Sequence, residues 1–421
     1  MAQGFRFIHC ADLHLGNPFQ GIQVPDIRWQ PLIEQATFRS LQQIVKVAEE
    51  NKVQAVLISG DVYNSATHSL SAQLQYVRIL HRLIQSGIAV FTVHGNHDPL
   101  DAWQAKVPLP AGAYTFGSDS VERVPLIVNG KEVAAIYGQS YGYSGVRENL
   151  ARTFRRQSGD KYAIGMLHCQ VGGHDGDYAP CTLDDLREAN MDYWALGHVH
   201  TRTELCTDPP IIYPGNIQGL HSRETGPRGC YYVEVGAYGT TNIQFIETDT
   251  IRWEVANLAI DNMRTTEELR LAVSSLKDSL RQDIKHPVFL TLEVSGQGVL
   301  HGLLGSADTT QCWMDDWNED ERGKYAFVLI ENIIDRTEPS INPELRSRLP
   351  DVVGDYLKGF EEIEKLSPKE QIKRLKELLE ERPEWSRLGN YGRDLSDERL
   401  LTAFQRARWL GVERLLGDMK P

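Results

Sequence analysis

The sequence lacks the features that would mark a zinc-ribbon, secreted or membrane protein. Its six cysteines include no CxxC pair, which argues against a structural zinc ribbon. No apolar run approaches the roughly 18 residues that a membrane-spanning helix needs. The first residues also contain no long apolar stretch of the kind found in secretion signals. We therefore expect a cytoplasmic protein with reduced thiols and no membrane contact.

An overall positive charge is also missing. The formal net charge is −13, so no global basic field would recruit nucleic acid. Any such contact must come from a local basic patch or from bound cations. One basic cluster has two interpretations, a solvated helix face or a phosphate track. It consists of Arg147, Arg152, Arg155, Arg156 and Lys161.

The apolar pattern of the first half of the chain indicates its fold. With 421 residues and 41% hydrophobic content, the chain is long enough for two or three globular domains. Residues 1–248 alternate short apolar runs, typical of buried strands, with helical patterns. This alternation predicts an α/β fold in which a layered β-sandwich is flanked by helices. The predicted strands span residues 5–10, 55–59, 89–94, 132–137, 162–167, 193–196, 211–213 and 230–235.

Residues 249–342 have a different pattern, which predicts a small α+β domain. Thr265 begins a capping box closed by Glu268, and an apolar stripe follows at helical spacing. Strands are predicted at 288–294 and 325–330, and the acidic segment 315–321 is predicted to be a solvated loop.

Residues 343–421 are predicted to form a helical tail. Ser367 and Glu370 form a capping box with Pro368 at the first helical position, and Ser396 caps a second helix. Both helices have an apolar face that must be buried. These faces either pack on their own domain or form a docking surface for a partner.

Five short polar motifs each follow an apolar run, so each is predicted to lie at the end of a β-strand. All of them supply carboxylate, amide or imidazole side chains. Two divalent cations held about 3.5–4 Å apart by such ligands promote displacement at phosphorus. Any one motif could be structural, with Gly95-Asn96-His97-Asp98 the strongest of them, but five in this order predict a dinuclear metal site. The motifs are Asp12-Leu13-His14, Gly60-Asp61, Gly95-Asn96-His97-Asp98, His168 and Gly197-His198-Val199-His200.

The order of these motifs resembles that of the calcineurin-like metallophosphoesterases. Segments 7–19, 213–219 and 226–231 are further similar to the SbcD-type DNA double-strand-break repair exonucleases, and among those to the YhaO-like bacterial proteins. The resemblance implies the metallophosphoesterase fold for residues 1–248 and a capping domain for residues 249–342. It also implies that residues 343–421 dock an SbcC-like, SMC-type ATPase.

The resemblance implies a role for each site residue. Asp61 would bridge two cations, and His97 would be the general acid that protonates the leaving oxygen, with Asp98 orienting it. Mn²⁺ is the family's usual metal, and the donor set also suits Fe²⁺ or Zn²⁺. The other implied ligands are Asp12, His14 and His200 for one cation and Asn96, His168 and His198 for the other.

One position departs from the family pattern. Many SbcD-type enzymes have a histidine three residues after the bridging aspartate, where it helps to hold the substrate phosphate. Here that position is Asn64. His68 either takes over this role or is an exposed residue at a helix start. His221 lies in a loop near the predicted mouth of the site, where contact with substrate is also open.

The function implied by the resemblance is that of a metal-dependent DNA phosphodiesterase, an exonuclease in double-strand-break repair. A phosphatase or phosphodiesterase for small molecules or nucleotides is an alternative, because the same metal site serves those reactions. A non-catalytic scaffold is another, although the complete ligand set and His97 argue against it. Strand preference, polarity, metal identity and oligomeric state stay open, with a homodimer among the alternatives.

Overall fold

The computed structural model describes residues 4–19, 22, 26–64, 69–102, 107–172, 176, 178–341, 343–382, 385 and 396–417. Within these ranges the strands are β1 (Phe5–Cys10), β2 (Ala55–Ser59), β3 (Ala89–Val93), β4 (Ala113–Thr115), β5 (Glu122–Val128), β6 (Lys131–Gln139), β7 (Ala163–His168), β8 (Tyr193–Gly197), β9 (Thr203–Thr207), β10 (Pro210–Tyr213), β11 (Gly229–Val235), β12 (Thr241–Glu247), β13 (Arg252–Ala259), β14 (Val288–Gly298) and β15 (Val328–Pro339). The α-helices are α1 (Gln30–Glu34), α2 (Ala36–Glu50), α3 (Leu70–Gln85), α4 (Leu183–Glu188), α5 (Thr266–Ile284), α6 (His301–Leu304), α7 (Ala307–Glu319), α8 (Pro343–Arg346), α9 (Val352–Glu364), α10 (Pro368–Glu380) and α11 (Asp397–Gly417).

Two six-stranded sheets carry the predicted metal-site motifs. The first has the order β12-β11-β1-β2-β3-β4 and the second the order β5-β6-β7-β8-β10-β9. Strands β1 to β4 run parallel, as do β6, β7, β8 and β10. The predicted layered β-sandwich flanked by helices is confirmed.

Apolar side chains fill the space between the two sheets. Phe7 and Leu57 of the first sheet and Ile164 of the second belong to one buried cluster. On its other face, the first sheet packs against α2 and α3 through a second cluster, which includes Leu41 and Leu80. Burying a side chain of this size contributes about 1.5–3 kcal/mol. This packing holds the two sheets in a fixed position relative to each other. It therefore also fixes the positions of the loops that follow their strands.

Contacts divide the chain into two compact units. The second unit includes α9, α10 and α11, which pack on one another through Leu357, Leu375, Phe404 and Trp409. The predicted division into domains at residues 248 and 342 stays a prediction. The first unit comprises Met1–Val255, Ser279–Thr291 and Asn318–Glu331, and the second Ala256–Asp278, Leu292–Trp317 and Asn332–Pro421.

Both predicted capping boxes are confirmed. At α5, the Glu268 amide donates to the Thr265 hydroxyl at 3.2 Å, and the Thr265 amide donates to the Glu268 carboxylate at 3.0 Å. The pair Ser367 and Glu370 does the same at α10. Among the described residues, no helix combines the length and apolar character that crossing a bilayer requires.

The prediction of a solvated loop at 315–321 is wrong. Helix α7 runs through most of this segment, and its Trp313 and Trp317 rings stack with centroids 5.8 Å apart. Asn318 is buried, and its side chain donates to the Ile330 carbonyl at 2.7 Å and accepts from the Ile330 amide at 2.8 Å. Exposed acidic residues alternate with the buried Trp317, Asn318 and Glu321, and the charge count hid that pattern.

Candidate metal centre

The polar motifs meet because their strands are parallel and end at the same edge. In the first sheet, Cys10 of β1 lies beside Ile58 of β2, and Ser59 lies beside Val93 of β3. In the second sheet, His168 at the end of β7 lies beside Gly197 at the end of β8. Ligands of α/β sheets bind outside the carboxyl ends of the strands. The ends of five strands thus deliver every residue of the predicted site.

The backbone is unusual at four of the seven predicted ligands. Asp12, His14, Asp61 and His198 have φ angles of 52°, 43°, 50° and 106°. Such a conformation costs a non-glycine residue about 1–3 kcal/mol and persists where the surroundings enforce it. Here the Asp12 amide donates to the Gly60 carbonyl at 3.1 Å, and the His14 amide donates to the Asp61 carbonyl at 3.0 Å. The turns after β1 and β2 therefore support each other.

Two glycines let these turns approach the buried ligands closely. A Cβ atom at Gly60, where φ is +95°, would lie 2.2 Å from Nδ1 of His168. A Cβ atom at Gly95 would lie 2.3 Å from Oδ1 of Asp61. Any other residue at either position would displace a predicted ligand.

One group of ligand atoms joins Asp12, His14 and His200. One atom of each lies within 4.8 Å of the other two. Nε2 of His14 lies 3.0 Å from Nε2 of His200 and 3.9 Å from Oδ2 of Asp61. Two imidazole nitrogens this close need a proton or a cation between them, because their lone pairs repel.

A second group joins Asp61 and His168 with Asn96 and His198. Nε2 of His168 lies 3.5 Å from Oδ2 of Asp61 and 2.9 Å from Oδ1 of Asn96. Nδ1 of His198 lies 3.2 Å from the same amide oxygen. Nδ1 of His168 donates to the Ser59 carbonyl at 3.0 Å, which leaves its Nε2 with a lone pair. All seven predicted ligands form one cluster, and their division between two cations stays a prediction.

Burial sets the protonation of these groups. It raises the pKa of Asp12 to about 6, and together with the negative charge of Asp98 it raises the pKa of Asp61. Burial lowers the pKa of His198 to about 3 and also lowers the pKa of His168. Metals bind ionised carboxylates and neutral imidazoles. Cation binding at this cluster would therefore release protons from the carboxyl groups.

His97, the predicted general acid, is exposed beside the cluster. Its ring centroid lies 5.1 Å from that of His14. Its backbone amide donates to Oδ1 of Asp61 at 2.9 Å, which fixes the residue without occupying its ring. The side chain is thus available to a substrate while its backbone holds the predicted bridging ligand.

Asp98 does not contact the ring of His97 within the described part of the chain. It is buried, and it accepts hydrogen bonds from the amides of Val62 at 2.8 Å and Gly95 at 2.9 Å. Nδ1 of His94 lies 3.0 Å from Oδ2 of Asp98. Both carboxylate oxygens of Asp98 therefore accept hydrogen bonds from backbone amides. Asp98 fixes the backbone that carries His97 instead of orienting the His97 ring.

Glu224 is a neighbour of the site that the sequence patterns did not single out. Its Oε1 lies 2.5 Å from Nδ1 of His200. Burial acts to lower the pKa of His200, but the hydrogen bond to Glu224 and the charge of Asp12 raise it to about 9. Burial acts to raise the pKa of Glu224, but the hydrogen bond and charge of His200 lower it to about 2. The only signal was its position between the segments 213–219 and 226–231, which carry the family resemblance.

The other residues that the sequence related to substrate binding lie beside the cluster or outside the described part of the chain. His221 has a side chain 31% exposed, and its Nε2 lies 3.5 Å from Oε1 of Glu224. Asn64 is partly buried three residues after Asp61. His68 lies outside the described residues.

Two arginines of the basic cluster before β7 are paired with carboxylates. Arg152 donates to Asp185 at 2.7 Å, and Arg156 donates to Asp192 at 2.9 Å. Arg152 lies in a 3-10 helix, Leu150–Thr153, and not on the face of an α-helix. These pairs favour a structural role for both arginines over a phosphate track.

The cluster fits a pair of divalent cations. Asp12 and Asp61 are buried, and within the described residues their ion-pair partners are histidines only. Nδ1 of His14 is buried without a hydrogen-bond partner in the same part of the chain. Carboxylate, amide and imidazole donors together suit Mn²⁺, Fe²⁺ or Zn²⁺.

Comparison with known proteins gives the family. Residues 5–202 match the family described as calcineurin-like phosphoesterase. The uncharacterized metallophosphoesterase YhaO of Bacillus subtilis is 34% identical over 345 residues, which cover 81% of this chain and 84% of that protein. The chain belongs to the calcineurin-like metallophosphoesterases. The family binds two divalent metal ions, and the predicted resemblance to it is confirmed.

More distant relatives also match. The DNA double-strand break repair protein Mre11 of Methanopyrus kandleri is 23% identical, over 64% of this chain and 62% of that protein. The protein of the same name from Sulfurisphaera tokodaii is 26% identical, over 63% of this chain and 68% of that protein. The chain thus spans about two thirds of the length of these repair proteins.

Proposed function

We propose that this metallophosphoesterase is a metal-dependent DNA phosphodiesterase that acts as an exonuclease in double-strand-break repair. The observation that carries the proposal is the cluster of seven ligand side chains with the exposed His97 beside it. The likeness to the Mre11 proteins supports DNA as the substrate. Since the net charge is −13, bound cations would be the main attraction for a phosphate backbone.

The proposed mechanism divides the work between the cations and the chain. When bound, two divalent cations would supply an activated water molecule and stabilising charge for the phosphoryl oxygens. The His97 ring donates a proton to the leaving sugar oxygen. Asp98 holds the loop that carries His97, through the amides of Val62 and Gly95. Asp12, His14, Asp61 and His200 would hold one cation, and Asp61, Asn96, His168 and His198 would hold the other.

The direct test uses the purified full-length protein, Mn²⁺ and end-labelled single- and double-stranded DNA. We expect products that shorten stepwise from an end, and the same protein with a chelator added is the control. Hydrolysis of bis-p-nitrophenyl phosphate without shortening of any DNA would favour the small-molecule alternative. Two bound metals with neither activity would favour the scaffold.

The same proposal assigns domains and location. Residues 1–248 form the nuclease domain, residues 249–342 the capping domain and residues 343–421 the region that docks a partner. The six cysteines are free thiols, which supports a reducing, cytoplasmic location.

The partner that we propose is an SbcC-like, SMC-type ATPase. Leu400, Phe404 and Trp409 are buried among the C-terminal helices, so these side chains serve packing within the unit. Leu349 and Val352, at the start of α9, are 49% and 66% exposed. Exposed apolar side chains at a helix start suit docking against a helical partner.

A paired variant tests this docking surface. We expect Leu349→Glu with Val352→Glu to lose the ATPase in a pull-down while Mn²⁺-dependent hydrolysis continues. Leu271→Glu is the matched control, because Leu271 is 52% exposed on α5. Equal retention of the ATPase by both variants would exclude Leu349 and Val352 from the interface.

A further inference from the structure

The Glu224 carboxylate is fixed on one side by its own loop. Its side chain is only 8% exposed. Oε2 accepts hydrogen bonds from Nδ2 of Asn216 at 2.9 Å and from the Leu220 amide at 2.7 Å. Asn216 is held in turn, since its Oδ1 accepts from the Arg228 guanidinium at 3.0 Å. One oxygen of Glu224 is therefore committed to two donors, and the other, Oε1, faces Nδ1 of His200 at 2.5 Å.

This arrangement determines which nitrogen of His200 can bind a cation. An ionised carboxylate only accepts hydrogen bonds, so Nδ1 of His200 must carry the proton. In the neutral ring that binds a cation, the lone pair is then on Nε2, which faces Nε2 of His14 at 3.0 Å. Carboxylates that hold the distal nitrogen of a metal-binding histidine fix both its tautomer and its ring orientation.

We propose that Glu224 is a positioning residue of the metal centre, which holds His200 so that Nε2 is presented to the cation shared with His14. This inference rests on the proposed metal ligation. A competing explanation is that Glu224 only anchors the loop through Asn216 and Leu220.

A single isosteric substitution separates the two explanations. In Glu224→Gln the amide oxygen can still accept from Asn216 and Leu220, so the loop bonds are kept. The amide NH₂ group then faces His200 and donates to Nδ1, which drives the proton to Nε2 and removes the lone pair from the metal side. If Glu224 positions His200, this variant should bind metal more weakly. If Glu224 only anchors the loop, the variant should bind metal as tightly as the unchanged protein.

The experiment is a titration of the full-length protein with Mn²⁺, followed by calorimetry and by electron paramagnetic resonance of free Mn²⁺. We expect Glu224→Gln to weaken one of the two Mn²⁺ sites by about 10–100-fold and to spare the other. His221→Ala is the matched control, because it removes the other histidine near Oε1 and leaves His200 in place. We expect this control to bind both ions as the unchanged protein does. Unaltered binding of both ions by Glu224→Gln would overturn the proposal.

A double-mutant cycle with His200→Ala keeps the test decisive if Glu224→Gln perturbs the loop. If Glu224 acts through His200, adding Glu224→Gln to His200→Ala weakens Mn²⁺ binding no further. An equal loss in both backgrounds would show that Glu224 acts independently of His200 and would overturn the inference. If the unchanged protein bound fewer than two Mn²⁺ ions, the proposed function itself would fail.

Discussion

Buried carboxylates at two places in this protein have different partners. Asp185 of α4 accepts hydrogen bonds from Arg152 at 2.7 Å and from Asn149 at 2.9 Å. Burial acts to raise its pKa, but the Arg152 guanidinium and the other donors hold that pKa well below its usual range. Asp12 and Asp61 have histidines as their ion-pair partners within the described residues, and burial raises the pKa of both.

The difference separates a carboxylate that already has a cationic partner from carboxylates suited to binding a cation. A carboxylate with a resident guanidinium is already stabilised in its ionised form and holds two elements together. A buried carboxylate surrounded by imidazoles is uncompensated until it binds a cation, and strongly perturbed groups of this kind concentrate at functional sites. Substitutions at the two places should therefore have effects of different size and kind.

The largest effect is expected at the predicted bridging ligand. Asp61→Ala should lose both metal ions and reduce hydrolysis below detection, because it removes the carboxylate between the two ligand groups. His14→Ala should weaken mainly one ion, and Asp185→Asn should keep both. Metal content by mass spectrometry measures this. Loss of a single ion in both Asp61→Ala and His14→Ala would contradict the bridging role.

The next effect concerns proton transfer without metal loss. His97→Ala should reduce the rate of hydrolysis by about 10²–10⁴-fold, the usual contribution of a general acid. It should retain two metal ions, because the backbone amide of His97 still donates to Asp61. Rate and metal content are measured on the same preparation. Release of an ion would sink the assignment of His97 as a metal-free acid.

A matched pair of glycine substitutions separates backbone strain from ligand displacement. Gly60 and Gly87 both have positive φ, so an alanine at either costs about 1–2 kcal/mol of unfolding free energy. A Cβ atom at Gly87 meets nothing within 4 Å, whereas one at Gly60 would lie 2.2 Å from His168. We expect only Gly60→Ala to lose metal affinity. Equal behaviour of the two variants in a Mn²⁺ titration would mean that close packing at Gly60 does not matter.

The smallest effect is a pH dependence at the structural carboxylate. The pKa of Asp185 is lowered in the folded chain, so its contribution is fully present above its unfolded pKa of about 4 and is lost as pH falls. Arg152 is 69% exposed, so Asp185→Asn should cost about 1 kcal/mol or less. Thermal midpoints should differ at pH 7, and the difference should shrink only as pH falls below about 4 towards the lowered folded pKa of Asp185. A gap that widens at low pH would reverse the sign of this argument.

The strands predicted from sequence and the strands missed differ in position within the two large sheets. The predicted ones are the internal strands β11, β1, β2, β3, β6, β7, β8 and β10, and the missed ones are the edge strands β4, β5, β9 and β12. Internal strands are covered on both faces and form continuous apolar runs. The edge strand β12 has alternating and exposed residues, so its sequence resembles that of a loop.

Some residues of the candidate site could also be predicted from sequence, and others could not. The seven ligands were predictable because each follows a buried strand directly. Glu224 was not, since it reaches His200 from a loop 24 residues further along the chain. Asp98 follows His97 in sequence, but its side chain turns back to the amides of Val62 and Gly95. The position of Asp98 next to His97 in the sequence does not reveal which way its side chain points.

The predicted ligands are divided between the two sheets, and this has a consequence for stability. His14 follows β1 of the first sheet, and His200 follows β8 of the second, with their Nε2 atoms 3.0 Å apart. A cation between them would join the two layers at the edge where their apolar contacts end. Because such an ion binds only the folded chain, the melting temperature of the sandwich should rise with metal concentration. In this protein the catalytic ions would also be cross-links, and a chelator would loosen the fold as well as stop the reaction.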